Sequence, residues 1–334
     1  MSRDAAGNVS NKTVLTLIRE EAQTDPGTGT PGTGGDAFAA SHSKLVLASI
    51  DGVGSEGWTH VDLPGSYDNL VVVATGAYGP DDAPAVVRLR NVGGDGFELR
   101  VQSPGDRETL TGYTVHFLAV EAGVYTEAEH GFNLEASTLE VGQPAGKFAG
   151  WSRVQSVGYG HPGGFTAPVV LGQVQSSNDE RWSTFIATGA TRGEAPDAST
   201  LRVGYQIGED TDTQRAPETV GWVVLDSGTQ TIEGLEVLAG VGPNVVRGFS
   251  TNASGGHRYD VDGPAGADVA LASVAGLNGA DGGWPVLFTG SGDAVGQTGI
   301  RLVFDEDQAL DLERGHAAEE VAFLLAKQGQ AGGG

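Results

Sequence analysis

No cysteine occurs anywhere in the 334 residues, which excludes disulfides, thiolate metal sites and a cysteine nucleophile. Lysine is almost as scarce, with Lys12, Lys44, Lys147 and Lys327 the four present. No stretch approaches the roughly eighteen apolar residues that span a bilayer, so no membrane insertion is expected. The opening Met-Ser-Arg-Asp-Ala-Ala-Gly-Asn lacks the apolar core of a signal peptide. Exit from the cell is therefore expected by lysis or through a leader cleaved away. A G-x-S-x-G elbow, a Gly-Lys-Ser/Thr phosphate loop and an HExxH pair are all missing. The seven histidines, His60, His116, His130, His161 and His316 among them, form no ligand-spaced set. Carboxylate pairs of the glycosidase kind arise everywhere by chance among 43 acids and carry no information. The chain does not read as an enzyme.

What is abundant is negative charge. Asp and Glu number 43 against 19 Lys and Arg, a net charge of −24. Such self-repulsion opposes compaction in dilute salt. It fades in molar salt, where the Debye length falls to about 3 Å. The balance reads as adaptation to a halophilic setting. It also argues against nucleic acid as a partner, because phosphate binding needs basic patches.

Residues 1–42 stand apart. Val14, Leu15, Leu17, Ile18 and Ala22 fall near one face of a short helix, with Ser10 or Asn11 as N-cap, while the β-branched content leaves a strand as the alternative. A Pro/Gly spacer over residues 25–35 follows, too poor in apolar residues to form a core. This combination is expected to be a docking peptide on a tether, with Val14, Leu15, Leu17 and Ile18 meeting a neighbouring protein.

Beyond residue 42 one phrase occurs three times, about a hundred residues apart: Val115-His-Phe-Leu-Ala-Val-Glu-Ala-Gly123, Val220-Gly-Trp-Val-Val-Leu-Asp-Ser-Gly228 and Val321-Ala-Phe-Leu-Leu-Ala-Lys-Gln-Gly329. Aligning the phrases brings Leu70-Val-Val-Val-Ala74, Pro168-Val-Val-Leu-Gly172 and Asp268-Val-Ala-Leu-Ala272 into register, and likewise the segments 96–102, 200–206 and 299–305. In the first of these last segments Phe97, Leu99 and Val101 alternate with polar residues, as a half-buried antiparallel strand requires. His116, between Val115 and Phe117, is expected to face solvent. Opening strands are expected at Trp58–Val61, Trp151–Val154 and Arg258–Val261, and Asp311–Glu320 is expected to follow the strands of the other copies rather than to form a helix. The expected fold is all-β: three tandem antiparallel β-sandwich, jelly-roll-like repeats over 43–140, 141–240 and 241–334, behind the N-terminal segment.

Two kinds of site remain as candidates. Acidic loops carrying Asp81 and Asp82, Asp210 and Asp212, and Asp305 and Asp307 suit the irregular oxygen cages that calcium accepts, although none has EF-hand spacing. Tyr78, Tyr159 and Trp284 are candidate platforms for a sugar ring. Trp58, Trp151, Trp182 and Trp222 read as core fillers.

The stretch from Val87-Arg-Leu-Arg through Phe97-Glu-Leu-Arg-Val-Gln102 to Tyr113-Thr-Val-His-Phe-Leu-Ala-Val-Glu-Ala-Gly123 resembles the sandwich repeats of H-type-lectin-like proteins, as does Pro217–Gly228. That resemblance implies a fold and carries no glycan-binding residue onto this chain. Tandem sandwiches, an acid surface and a tethered N-terminus also resemble virion proteins of haloarchaeal tailed viruses in architecture. The expected role is a non-enzymatic structural protein of a virion, in turret, decoration, baseplate or fibre, with possible adhesion to host-surface glycan. It would form homo-oligomers, trimers or pentamers, and dock on other virion proteins. The alternative is a secreted carbohydrate-binding protein.

Overall fold

A computed structural model describes residues 45–105, 108–249 and 256–331. The docking candidates Val14, Leu15, Leu17 and Ile18 lie outside the described residues. The fold is all-β, with antiparallel sheets and two short helical turns, α1 (Glu127–His130) and a 3-10 turn at Trp151–Arg153.

Strands fall into three groups that begin at Leu45, Leu134 and Leu235, so the expected boundaries at 140 and 240 cut through the strands that open the second and third groups. The first holds β1 (Leu45–Val53), β2 (Thr59–Tyr67), β3 (Leu70–Tyr78), β4 (Val86–Gln102), β5 (Tyr113–Glu121) and β6 (Gly123–Tyr125). The second holds β7 (Leu134–Val141), β8 (Gln155–Val157), β9 (Pro168–Val174), β10 (Thr184–Thr188), β11 (Leu201–Gln206), β12 (Glu218–Asp226) and β13 (Gly228–Ile232). The third holds β14 (Leu235–Val241), β15 (His257–Asp260), β16 (Val269–Val274), β17 (Trp284–Phe288), β18 (Val295–Gly296), β19 (Gly299–Asp305), β20 (Val321–Ala326) and β21 (Gly329–Ala331). The 17 residues of β4 span the two strands that the other groups keep apart, with Asn91 (φ 51°) and Gly94 (φ 61°) turning the chain between its halves. Trp151 opens a turn rather than a strand, and residues 306–318 form an irregular loop without a strand of their own.

The sheets do not respect the boundaries of the repeats. Each recurring phrase is a central strand (β5, β12 or β20), flanked by the first and third strands of its own repeat. The glycine ending each phrase then starts a short strand that pairs with the next repeat: Gly123 opposite Ala136, Gly228 opposite Ala239 and Gly329 opposite Leu47. Because β21 returns to β1, the series closes into a ring within one chain. On the other flank, β17 runs parallel to β3 at Leu287–Ala77 and Phe288–Tyr78. The same step recurs as a parallel bridge between Ala187 and Ala275. At the third junction the Gln173 side-chain amide donates to the Val87 carbonyl at 2.7 Å.

This ring explains a departure from simple alternation. A sandwich normally buries one face of each strand, yet β3, β9 and β16 are buried along their whole length. Leu70, Val72 and Ala74 face the interior of the first sandwich. Val71 and Val73 face a central core, shared with Val169 and Leu171 of the second repeat and Val269 and Leu271 of the third. Three peripheral cores therefore surround a common one. His116 points to that central side, between Leu118 and the third repeat, and is 7% exposed rather than at the surface.

Shared sheets should make unfolding a single event. Calorimetry is expected to give one endotherm with calorimetric and van't Hoff enthalpies in agreement. A fragment of residues 43–140, lacking the strands that cover β1 and β3, should show no cooperative transition. Three separate transitions would contradict this.

Candidate functional site

The positions where polar groups converge are the seams around the pseudo-threefold axis. Side chains on the central faces of β3, β9 and β16 stitch the three repeats together. The Thr75 hydroxyl accepts from Ala272 N at 2.9 Å and donates to Ala272 O at 3.2 Å. Ser273, at the equivalent position, accepts from Gly172 N at 3.0 Å and donates to Gly172 O at 3.4 Å. Gln175 completes the circuit, accepting from Val72 N and donating to Leu70 O, both at 3.2 Å. First bonds to third, third to second, second to first. These bonds satisfy backbone groups that would be costly to bury unpaired. Gln175 reaches across because residue 221 is glycine: a Cβ there would lie 2.1 Å from Gln175 Oε1. Next to the circuit is a cavity of about 30 Å³, lined by Thr75, Gln173, Ser273, Phe185 and Trp284. That volume suits a water molecule or two and is far below that of a sugar ring.

A second circuit joins strand ends to neighbouring loops. Gln102, Gln206 and Asp305 close the equivalent strands of the three repeats. Gln102 Nε2 donates to Glu180 O at 3.0 Å, and Gln206 Nε2 to Gly283 O at 2.7 Å. Asp305 accepts from Tyr78 Oη at 2.8 Å and from Arg314 Nε and Nη2 at 2.9 and 2.7 Å. Arg314 in turn reaches Asp82 O at 2.7 Å. Between the first and second repeats, Arg88 is fully buried and donates to Gln102 Oε1, Asp179 O, Arg181 O and Ser177 Oγ. Burial pulls the pKa of its guanidinium down to about 10, against the opposing pull of Glu218 3.6 Å away. It remains charged at neutral pH. His116 belongs to the same design: its Nδ1 accepts from Ala270 N at 3.2 Å, and burial pushes its pKa down to about 4.

Against this geometry the sugar-platform candidates fare poorly. Tyr78 and Trp284 are brought together, with Trp284 Nε1 donating to Tyr78 Oη at 3.1 Å, but at 3% and 6% exposure neither offers a face to a ligand. Their apolar rings are consumed by the core of the first and third repeats. Tyr159 is half-buried, its ring against Phe165 and its hydroxyl on Asp197 O at 2.7 Å. Trp182 and Trp222 fill cores as expected. Trp151 is partly buried against the core of the third repeat, with the Arg192 guanidinium over its ring, and Trp58 is half-buried, with the guanidiniums of Arg90 and Arg100 over its ring at 4.3 and 4.7 Å.

The acidic loops are likewise occupied by the protein's own groups. Asp81 and Asp82 sit in an exposed turn where Asp82 accepts from Gly79 N. Asp210 is held by Arg215 and Asp212 by Arg181. Asp305 is taken up by Arg314, and Asp307 accepts from Glu209 N and Ala309 N. Among the described residues no group of three or more His, Asp or Glu is arranged to hold a metal ion. Sequence reasoning missed Thr75, Gln175, Ser273, Arg88 and His316. The in-phase alignment places Thr75, Gln173 and Ser273 at one position, a signal that was available.

The seam can be tested at its tightest point. Gly221→Ala is expected to cost about 1–3 kcal/mol in denaturant unfolding, and the loss should shrink in the Gly221→Ala, Gln175→Ala double variant by comparison with the sum of the single losses. Unchanged stability of the single variant would refute the crossing role of Gln175.

No family model matches the chain and no solved structure matches it. The chain is similar to halomucin of Haloquadratum walsbyi (strain DSM 16790 / HBSQ001), 27% identical over 295 residues. That alignment spans 84% of this chain and 3% of halomucin's length. These comparisons point neither to an H-type lectin nor to a virion protein. Among the described residues no helix is long and apolar enough to cross a membrane.

Proposed function

We propose that the chain is a non-catalytic structural protein, a covalently joined pseudo-trimer that serves as a rigid block in an extracellular or virion assembly working at high salt. The observation that carries this reading is the closed ring of shared sheets. A chain that spends Arg88, Gln102, Thr75, Ser273 and Gln175 on internal seams invests its buried polar chemistry in rigidity. A homotrimer would obtain such a ring by association, at the entropic cost of bringing subunits together; here the chain supplies it. The N-terminal segment then acts as the tether, with Val14, Leu15, Leu17 and Ile18 docking on a neighbouring subunit. Charge and the likeness to halomucin support the high-salt setting. The carbohydrate-binding alternative retains Tyr159 after losing Tyr78 and Trp284 to the interior.

Deletion of residues 1–35 tests the assembly role. In molar salt the full chain is expected to sediment as higher-order particles and the truncated chain as a single folded ring. Equal assembly of both would defeat the docking reading, and glycan-array binding abolished by Tyr159→Ala would favour the carbohydrate-binding alternative. Dilution tests the salt reading separately. The melting temperature should fall steeply as salt drops below about 1 M, where unscreened carboxylates repel one another. A flat salt dependence would argue for an ordinary acidic protein.

A further inference from the structure

The three seams are equivalent in position but not in chemistry. Arginine supplies the cation between the first and second repeats (Arg88) and between the third and first (Arg314), and both guanidiniums keep their charge through the neutral range, Arg88 until about 10. Between the second and third repeats the cations include Lys147 and the fixed charge of Arg192, and behind them stands a histidine.

Lys147 of the second repeat bonds both Glu209 and Asp281, the latter at 2.7 Å. Arg192, also of the second repeat, donates to Gly279 O at 2.9 Å and Asn278 O at 3.0 Å. The amides of those two residues point the other way, onto Glu319: Asn278 N to Oε2 and Gly279 N to Oε1, each at 2.7 Å. Glu319 is fully buried, and its Oε1 also meets His316 Nε2 at 2.9 Å. The other ring nitrogen, Nδ1, meets Glu306 Oε2 at 2.9 Å. The Phe304 ring stacks on the imidazole at 4.5 Å, and residue 279 must be glycine, since a Cβ would fall 2.3 Å from His316 Cε1. An imidazole with a carboxylate on each nitrogen can donate to both as imidazolium alone, because the neutral ring has a single N–H.

We propose that His316 is a protonation latch: as imidazolium it locks Glu319 under the 278–279 loop on which Arg192 rests, and its deprotonation loosens the seam between the second and third repeats. Burial opposes the charged ring, but the bonds to Glu306 and Glu319 outweigh it and hold the His316 pKa at about 9. Facing the ring are Glu306 and Glu319, with Asp281 and Glu313 acting on the same site from neighbouring loops. Glu306 itself is raised to about 7 by burial, and Asp307, beside Glu209 and Asp210, to about 6. A pKa raised on folding means that the native state binds the extra proton. The stabilisation by His316 is therefore complete below about 6.5, its unfolded value, and is lost as pH rises through about 9. Glu306 and Asp307 act in the same direction at lower pH; Asp281, whose carboxyl Lys147 holds below its usual range, acts in the opposite direction, but in acid and outside the window of His316.

Amide hydrogen exchange of the full chain in molar salt, followed from pH 6 to 10 and corrected for intrinsic rates, tests the latch. The opening constant at Asn278 and Gly279 is expected to rise about tenfold per pH unit between about 7 and 9, while Val223 in β12 stays protected. In His316→Gln the rise should vanish. The same rise in that variant, or none in the unaltered protein, would overturn the proposal. Should the variant fail to fold, the imidazole of the unaltered protein can be titrated by NMR: a midpoint well above 6.5 supports the latch, and one at or below 6.5 sinks it.

Discussion

The three sheets built on β5, β12 and β20 are each finished by a strand from another repeat, and the rest of the structure follows from that constraint. Edge strands with unpaired backbone groups invite association. Here β6, β13 and β21 each cover the opening strand of the following repeat, and β17 extends the sheet of β3 from the opposite flank. The closure is heterologous at each step, and a heterologous contact makes either a ring or a filament according to the rotation per step. Three steps close the ring, and the final one is made by residues 329–331 on residues 45–47.

Closing the ring creates an interior that a lone sandwich lacks. The outer faces of the three sheets, which would meet water in an isolated repeat, instead meet one another in a common core of valine, leucine and alanine. Polar residues admitted to that core are those that repair the backbone at the junctions: Thr75, Ser273 and Gln175 bond main-chain amides and carbonyls of the next repeat. His116 is tolerated on the same terms, neutral and accepting from Ala270 N. Small residues are placed where these bridges cross, Gly221 beneath Gln175 being the sharpest case.

Pseudo-symmetry also lets one chain vary what a true homotrimer would have to repeat. Gln102, Gln206 and Asp305 occupy one position yet answer different sets of partners: Arg88 and a backbone carbonyl for Gln102, a backbone carbonyl for Gln206, and Arg314 with Tyr78 for Asp305. The seam carrying His316 differs from its counterparts in the same way. A covalent trimer can place a histidine between two carboxylates at one joint and arginines at the others.

Much of the fold was legible in the residue order. Alternation placed Phe97, Leu99 and Val101 inward, the recurring phrase located β5, β12 and β20, and glycine marked the point where each phrase ends. Local periodicity is enough for this, because strand pattern and turn chemistry act over a few residues. What it could not reveal is whom the other face of a strand meets. His116 was expected at the surface, and Tyr78 and Trp284 at a binding face, because alternation distinguishes two sides of a strand without saying whether the second is wet. That answer depends on contacts between residues a hundred or two hundred positions apart, such as Thr75 with Ala272 and Tyr78 with Asp305. The sequence by itself determined the central strands, their threefold recurrence and the excess of acid; the strands that open each repeat, the ring, its central core and its polar seams were decided by tertiary structure, since burial of a second face is a property of packing and not of the segment that is packed.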